Sequence, residues 1–181
     1  MRLVLGFTGP NAAGKGEVSA YLKSRGFEVH SLSDIVREEA AARGLTPERE
    51  HLIRVGTELR EQGGLGVLAE RLMPRLGARD VVDSIRNPAE VKTLRGLPGF
   101  VLVGVDAPAA VRFARSRLRA RPGDPETLPE FMARERQENS DNPAGQQLRA
   151  TFALADRIVE NNGDLDALHV KIDDLLRDLE P

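Results

Sequence analysis

Short apolar runs alternate along the chain with helical patterns of apolar and polar residues. Runs with the length and composition of β-strands cover residues 3–7, 27–30, 81–82, 100–105 and 155–159. Strands that alternate with helices in this way are typical of a parallel sheet covered by helices on both faces. The pattern therefore predicts an α/β fold of three layers, α/β/α, with a parallel sheet of about five strands.

Helix-start signals mark several of the segments between these strands. A helix is expected over residues 15–24, and Asn-Pro-Ala-Glu at residues 87–90 combines an N-cap, a proline in the first turn and a capping acid. Residues 127–130 repeat that spacing. Leucine and isoleucine recur at helical spacing over residues 165–179, which predicts a closing amphipathic helix packed on the sheet. Further helix starts are indicated by Thr46-Pro47 and by Asp106 with Pro108.

Two regions depart from the regular alternation. Residues 31–79 separate the second and third predicted strands and are long enough for two or three helices. An Arg-Pro-Gly-Asp-Pro break at residues 121–125 interrupts the helical pattern after the fourth strand. Such insertions lie above the carboxyl ends of the strands, where ligands bind in folds of this class. We expect residues 31–79 to form the acceptor-binding part, and residues 117–137 a small lid, of one domain spanning residues 1–181.

Composition limits the partners that this domain can recruit. The 181 residues are 40% hydrophobic, enough for one core, and carry 26 basic and 28 acidic side chains. A net charge of −2 provides no general attraction for nucleic acid or an anionic membrane. Cysteine is absent, and the three histidines lack two-histidine metal spacing. Without a long apolar segment, a cytoplasmic protein with no membrane partner is expected.

The stretch Gly-Pro-Asn-Ala-Ala-Gly-Lys-Gly follows the first predicted strand and leads into the first helix. It fits the pattern G-x-x-x-x-G-K, in which backbone N–H groups surround an anion and the lysine reaches the outer phosphates. A chance glycine-rich turn is the alternative, but it would lack this strand-to-helix context. We therefore predict phosphate or nucleotide binding by Gly9, Asn11, Ala12, Ala13, Gly14, Lys15 and Gly16.

Gly16 stands where this motif normally has a serine or threonine whose hydroxyl contacts Mg²⁺. Mg²⁺ usually keeps several waters, so a water can replace that hydroxyl. Glu17 follows directly, and its carboxylate would be repelled by a triphosphate unless a metal, a water or an arginine lay between them. Two interpretations of Glu17 stay open, a first-turn acid favoured by the helix dipole and a ligand of the metal.

Asp34 and Arg37 follow the second predicted strand. If Asp34 begins a helix, Arg37 lies one turn later on the same side. From there the guanidinium could bind a second phosphate group in bidentate fashion beside the phosphate loop. The alternative is an N-cap aspartate with a solvated arginine.

Asp83 ends the third predicted strand, and Arg86 lies in the turn after it. A carboxylate at the tip of a buried strand, beside a phosphate loop, suits water-mediated coordination of Mg²⁺. Taken alone, Asp83 could equally be a strand-ending turn residue. Because two arginine-bearing loops converge on this edge of the sheet, we favour a catalytic Asp83 and a substrate-binding Arg86.

An arginine-rich segment follows the fourth predicted strand. No aromatic residues are interleaved for base stacking, and the chain is slightly acidic, so a nucleic-acid surface ranks last. Phosphoryl transfer gives these arginines a better reason, because a guanidinium that closes over the transferred group accelerates the reaction by ~10³–10⁵-fold. We select Arg117, Arg121 and Arg134 for this role and expect other members to be solvent charges or partners of acids. The segment contains Arg112, Arg115, Arg117, Arg119, Arg121, Arg134 and Arg136.

Over nearly its whole length the chain resembles the P-loop nucleoside- and nucleotide-kinase superfamily. Gly-Lys-Gly at residues 14–16 is similar to the adenylate-kinase form of the loop, in which threonine comes next; Glu17 takes its place here. Residues 32–37 resemble the segment that binds the acceptor monophosphate. Residues 83–86 resemble the turn that supplies a carboxylate organising Mg²⁺ and a second acceptor arginine. The resemblance implies the sheet order 2-3-1-4-5 and a small lid.

Residues 155–163 resemble the last strand and turn of dephospho-CoA kinases. That turn lies near the adenine in such folds, which implies base contacts by Asn161, Asn162 and Gly163. The start of the chain lacks the Asp-x-Asp acceptor segment of that enzyme. The whole chain is similar to adenylate-kinase-related, dephospho-CoA-kinase-like proteins.

These residues and this resemblance predict transfer of a phosphoryl group from ATP, assisted by Mg²⁺, to a small acceptor, in the first place a nucleoside monophosphate. Dephospho-CoA kinase-like activity is one alternative. A non-catalytic, nucleotide-binding regulatory protein is another, suggested by Gly16 and Glu17, and a slow ATPase is a third. Small-molecule nucleotides are the expected partners, and the oligomeric state is left open.

Overall fold

A computed structural model describes residues 2–120 and 124–180 of the chain. Its centre is a sheet of five parallel strands in the order β2-β3-β1-β4-β5. Three-layer architecture and strand order are therefore as predicted. The strands are β1 (Leu3–Thr8), β2 (Glu28–Ser31), β3 (Arg79–Asp83), β4 (Phe100–Asp106) and β5 (Arg157–Glu160).

Helices connect the strands and cover both faces of the sheet. Between β2 and β3 the chain forms three α-helices and one short 3₁₀-helix, as the length of that segment predicts. The α-helices are α1 (Lys15–Ser24), α2 (Leu32–Ala42), α3 (Arg49–Gly63), α4 (Val67–Leu72), α5 (Pro88–Leu94), α6 (Ala109–Arg119), α7 (Leu128–Glu138), α8 (Leu148–Phe152) and α9 (Leu165–Leu179). The 3₁₀-helix is Met73–Arg75.

Two apolar clusters, one on each face, hold the layers together. Neighbouring residues of a strand point to opposite faces of the sheet, so Val4 packs with helices α2 to α5 while Leu5 packs with α1 and α9. Both side chains are fully buried. Burial on both faces explains why the central strands are apolar throughout, and it fixes their carboxyl ends as a common edge for polar loops.

The helix starts follow the sequence signals closely at two positions and depart from them at others. Asn87 and Thr127 each form a complete capping box. Asp34 does not begin α2: the N-cap is Ser31, whose hydroxyl accepts the N–H of Ser33, and Asp34 lies in the first turn. A serine directly before the helix thus takes the role assigned to the aspartate.

The remaining start and strand signals are shifted by a few residues. Helix α3 begins two residues after Thr46-Pro47, at Arg49, and α6 is preceded by Pro108, while Asp106 accepts the N–H of Ala107. Strand β3 begins at Arg79, ahead of its apolar pair, and β5 begins at Arg157 rather than at residue 155. None of the helices within residues 2–120 and 124–180 combines the length and hydropathy that a membrane span requires.

Candidate active site

The loop from Gly9 to Gly14 has a backbone that requires glycine at both ends. Gly9 has φ 139° and Gly14 has φ 104°, and Ala12 between them is also left-handed at φ 60°. A Cβ on Gly9 would lie 2.1 Å from the carbonyl oxygen of Val105 in β4, and one on Gly14 would lie 2.2 Å from Nδ2 of Asn161. Left-handed residues in such a loop are typical of backbone nests that bind anions.

Lys15, the first residue of α1, turns back over this loop. Its Nζ donates hydrogen bonds to the carbonyl oxygens of Gly9, at 2.7 Å, and Pro10, at 2.9 Å. Burial lowers the pKa of Lys15 to about 8; the negative charge of Asp83 opposes this shift, and Arg86 reinforces it. An added anion beside the ammonium would favour its charged form, so the electrostatics suit a phosphate at this position.

Three side chains from distant segments hold the loop from behind. Asn161, which is buried, donates from Nδ2 to the carbonyl oxygen of Ala13 at 2.9 Å. Arg115 donates to the carbonyl oxygen of Asn161 at 3.0 Å, and Arg112 donates to that of Asn11 at 3.2 Å. These contacts tie the loop to α6 and to the end of β5.

This use of Asn161 differs from the base contact that the resemblance implies. Its side chain is engaged with the loop backbone, while Asn162 and Gly163 are exposed. The Asn161 side chain supports the loop. Base contacts by Asn161, Asn162 and Gly163 stay predictions.

The turn after β3 brings Asp83 and Arg86 to the same edge of the sheet as the loop. Ser84 has φ 65°, and its N–H donates to Oδ1 of Asp83 at 2.6 Å. The hydroxyl of Thr8, at the end of β1, donates to the carbonyl oxygen of Ile85 at 3.0 Å, which links the turn to the strand that leads into the loop. Asp83 and Lys15 are close enough for the carboxylate to influence the lysine.

The side chain of Arg86 contacts the segment between α7 and α8. Its Nη1 donates to Oε1 of Gln146 at 3.1 Å. Burial lowers the pKa of Arg86, and the charge of Arg49 adds to that effect, while Glu138 and Asp83 oppose it. Arg49 is exposed and forms an ion pair with Glu138, so Arg86 is the desolvated member of this pair of guanidinium groups. An anionic ligand would favour the charged form of Arg86.

A cavity of about 400 Å³ opens beside this turn. Its apolar lining residues include Leu32, Val36 and Ile53. Its charged lining residues are five arginines and, within the described part of the chain, a single acid, Asp124. Such a cavity suits a small molecule with an apolar or planar part and an anionic group. The arginines are Arg37, Arg49, Arg60, Arg86 and Arg134.

Glu90, at the start of α5, organises the buried side of this cavity. Its Oε1 accepts Nη2 of Arg60 at 2.7 Å and Nε at 3.0 Å, and both side chains are almost completely buried. Its Oε2 accepts the backbone N–H groups of Arg86 and Asn87. One carboxylate thus fixes both a cavity arginine and the backbone of the turn that carries a second one.

The other predicted side chains lie in different surroundings. Arg37 lines the cavity and pairs with Asp34 at 2.6 Å in an exposed ion pair. Arg117 is exposed, and no hydrogen bond or ion pair of its side chain occurs within the described ranges. Arg121 lies outside the described residues. Glu17 is exposed on the first turn of α1, and no described atom lies within 4 Å of a Cβ added at Gly16.

Sequence reasoning missed Arg112 and Glu135, which link the loop to α7. Arg112 is buried on α6 and contacts the loop backbone. It forms a bidentate ion pair with Glu135, with N···O distances of 2.5 and 3.1 Å. The sequence does place Arg112 in the arginine run and Glu135 among its possible partners. Only the packing of α6 against the loop distinguishes Arg112 from its neighbours.

Solved structures of similar shape define the class of fold. The protein TT1252 from Thermus thermophilus is 24% identical and aligns over 99% of both chains with a TM-score of 0.64. A shikimate kinase from Bacteroides thetaiotaomicron is 15% identical over 97% of this chain and 98% of its own, with a TM-score of 0.60. A sugar kinase from Janibacter, also 15% identical, covers 100% and 97% with a TM-score of 0.57. At this identity the likeness concerns the fold alone, which is the three-layer α/β/α fold of P-loop kinases.

Sequence relatives identify the family within that class. No protein-family model matches the chain. A UPF0200 protein of Hyperthermus butylicus is 37% identical over 179 residues, which cover 97% of this chain and 94% of that protein. A UPF0200 protein of Halobacterium salinarum is 35% identical over 181 residues, covering 96% and 92%. The chain belongs to the UPF0200 family.

Proposed function

We propose that this protein transfers the γ-phosphoryl group of ATP to a small anionic acceptor, and that a nucleoside monophosphate is the first candidate. The observation that carries the proposal is the placement of two anion-binding features at one sheet edge. A phosphate loop with Lys15 lies on one side, and a cavity with five arginines lies on the other. A loop alone would suit any nucleotide-binding protein, whereas the second cationic site calls for a second anionic substrate.

On the donor side, the loop backbone and the start of α1 hold the phosphates of ATP. Backbone N–H groups at a helix N-terminus attract anions. The Lys15 ammonium exchanges its two loop carbonyls for phosphate oxygens, which restores its charge in a site where burial disfavours it. Because phosphoryl transfer needs positioning and charge stabilisation above all, this chain requires no covalent intermediate.

On the acceptor side, Arg86 and Arg37 bind the anionic group of the second substrate. Arg86 is placed by the turn after β3, and Arg37 is carried by α2, within the segment 31–79 that we assign to acceptor binding. The apolar side chains of the lining then receive the remainder of the acceptor.

Mg²⁺ fits the residues present, although with fewer protein ligands than the motif usually provides. Asp83 would hold it through water, Glu17 is a further candidate, and the phosphates of ATP would supply direct ligands. When bound, the ion neutralises charge on the phosphate oxygens. Residues 117–137 act as a lid in this proposal, and Arg134, which lines the cavity, and Arg112 stabilise charge on the transferred group.

The test is an acceptor panel with labelled ATP. Full-length protein, Mg²⁺ and γ-labelled ATP are mixed in turn with nucleoside monophosphates, dephospho-CoA and buffer alone, and the labelled products are separated. The proposal expects label in one class of acceptor, with Lys15→Ala reducing the rate at least 100-fold and Lys23→Ala, on the exposed end of α1, leaving it unchanged. Absence of labelled acceptor above the Lys15→Ala background in every arm would refute the proposal.

The open position at Gly16 favours one second candidate, a nucleotide-binding protein without transfer activity. In the described part of the chain nothing obstructs a side chain there, so Gly16→Ser can restore the missing hydroxyl without a clash. If the protein is a kinase, Gly16→Ser should lower the Mg²⁺ concentration that gives the half-maximal rate about threefold. A factor of this size is what one added hydrogen-bonding group contributes. A regulatory protein would instead bind nucleotide equally well without Mg²⁺ and show no turnover in either variant.

A further inference from the structure

One histidine and two carboxylates meet outside the proposed active site. Glu28 and His30 are two residues apart on β2, so their side chains point to the same face of the sheet. Asp80 on β3 is the register partner of Glu28. One potential ligand atom from each of the three side chains lies within 4.8 Å of the other two. Asp80 is the second residue of β3, while Asp83 at the opposite end of that strand faces the phosphate loop. This cluster is therefore separate from the nucleotide site.

The buried carboxylate of Asp80 has one oxygen without a hydrogen-bond partner among the described residues. Its side chain is 1% exposed, and its Oδ1 lies 3.0 Å from Nε2 of His30. Its Oδ2 is buried and has no hydrogen-bond partner among the described residues. A buried carboxylate oxygen without a partner is costly, and the histidine contacts only one of the two oxygens. A cation bound at this carboxylate would remove that cost.

The three side chains also provide a route for an ion to enter. Glu28 is exposed, the His30 side chain is 14% exposed and Asp80 is buried, so the cluster leads inward from solvent. Strand β2 is an edge strand whose pairing to β3 involves four residues. A metal ion bridging the two strands would add a link to a strand that pairs on one side only.

We propose that Glu28, His30 and Asp80 bind one divalent transition-metal ion that fastens β2 to β3. An imidazole with two carboxylates is a ligand set that suits Zn²⁺ or Mn²⁺, with water in the remaining positions. Mg²⁺ prefers all-oxygen coordination and competes poorly at a site with a nitrogen ligand. The sequence does not indicate the site, because its third ligand is fifty residues away from the other two in the chain.

The chain offers a matched set of controls, because it contains only three histidines. His51 is exposed and hydrogen-bonded to Thr46, and His169 stacks on Tyr21. Replacement of each histidine by glutamine removes one imidazole at a time from comparable, partly exposed positions. Only His30 belongs to the proposed site.

The experiment is a titration of metal-stripped, full-length protein with Zn²⁺, Mn²⁺ and Mg²⁺ in the absence of nucleotide, by calorimetry and thermal melting. We expect one Zn²⁺ or Mn²⁺ per chain, with Mg²⁺ at least tenfold weaker, and a higher melting temperature when the ion is bound. His30→Gln and Glu28→Gln should each weaken binding at least tenfold, while His51→Gln and His169→Gln bind as the parent does.

Three results would count against the site. The first is the absence of saturable binding by the parent protein. The second is equal affinity in His30→Gln and the parent, which would assign the ion to another location. A melting temperature that falls in His30→Gln, but does not respond to metal in the parent, would identify the His30–Asp80 contact as a simple hydrogen bond and count against the proposal. Nucleotide binding is independent of all these outcomes.

Discussion

The phosphate loop and the arginine-lined cavity face each other across one sheet edge, but they are built in different ways. The loop is local: six consecutive residues with left-handed turns at Gly9, Ala12 and Gly14 define its shape. The cavity is assembled from α2, α3, the turn after β3 and residues near Gln146, and ion pairs hold its walls. Backbone conformation specifies the first, and contacts between distant side chains specify the second.

This difference determines what each region tolerates. Small changes of shape disrupt a loop in which a Cβ added to Gly9 would lie 2.1 Å from a neighbouring carbonyl oxygen. A cavity held by ion pairs is instead sensitive to loss of charge. Four substitutions or conditions separate the two kinds of dependence; the first has the largest expected effect, the next two have similar effects, and the last has the smallest.

The largest effect is expected on the cavity side, from Glu90→Gln. It removes the charge that the buried Arg60 faces, and breaking a buried pair in this way costs about 3–5 kcal/mol. The matched control is Glu38→Gln, which breaks an exposed pair with Arg75 and should cost at most about 1 kcal/mol. Chemical denaturation measures the free energy of unfolding of both variants. Equal losses in the two variants would show that the cavity wall does not depend on the buried pair.

Gly9→Ala tests the loop. The new Cβ would lie 2.1 Å from the carbonyl oxygen of Val105, so the loop must shift, and a strained conformation of this kind costs about 1–3 kcal/mol. We expect ATP affinity to fall by a similar free energy, about tenfold to 100-fold. Gly16→Ala, where no described atom is within 4 Å, should bind ATP as the parent does. Calorimetry measures the ATP affinity of both variants and the parent. An unchanged affinity in Gly9→Ala would contradict a rigid loop.

Arg86→Gln separates the two substrates. Loss of one charge-assisted hydrogen bond is worth about 1.5–3 kcal/mol, so the KM for the acceptor should rise about tenfold to 100-fold. The ATP affinity should stay within about twofold, because Arg86 lies on the acceptor side. Arg54→Gln, on the exposed face of α3, is the control. Steady-state kinetics with each substrate varied would contradict the assignment if the two KM values rose together.

The smallest effect concerns the protonation of Lys15. Because its pKa in the free protein is lowered to about 8, the ammonium that attracts phosphate is lost as the pH rises through that value. The charged fraction falls about fourfold between pH 7 and 8.5, and ATP affinity should fall by about the same factor. Lys15→Arg, which stays charged, should remove this dependence. An identical decline in both proteins would assign the titration to another group.

The local features are those that the sequence predicts well. The alternation of strands and helices, the capping boxes at Asn87 and Thr127 and the glycines of the loop follow from short-range preferences, and each is found in the structure. The strand order agrees with the order that the family resemblance implies. Asp34 does not begin α2, because Ser31, directly before the helix, provides the cap.

Features that need two distant segments were predicted poorly. Arg60 and Glu90 carry no recognisable motif, and only the packing of α3 against the start of α5 reveals their pairing. Within the arginine run we favour Arg117 over Arg112 from the sequence, yet Arg112 is buried against the loop and Arg117 is exposed. The hydrogen bond from Asn161 to the carbonyl oxygen of Ala13 joins residues far apart in the chain and has no signal in the sequence.

The most direct test of a two-substrate site is the partition of γ-labelled phosphate in a single turnover, with protein in excess over ATP and the best acceptor of the panel present. The account predicts that most of the label reaches the acceptor, and that Arg86→Gln reduces this share while ATP stays bound. Label found only in inorganic phosphate, or retained on tightly bound ATP whatever the acceptor, would contradict it.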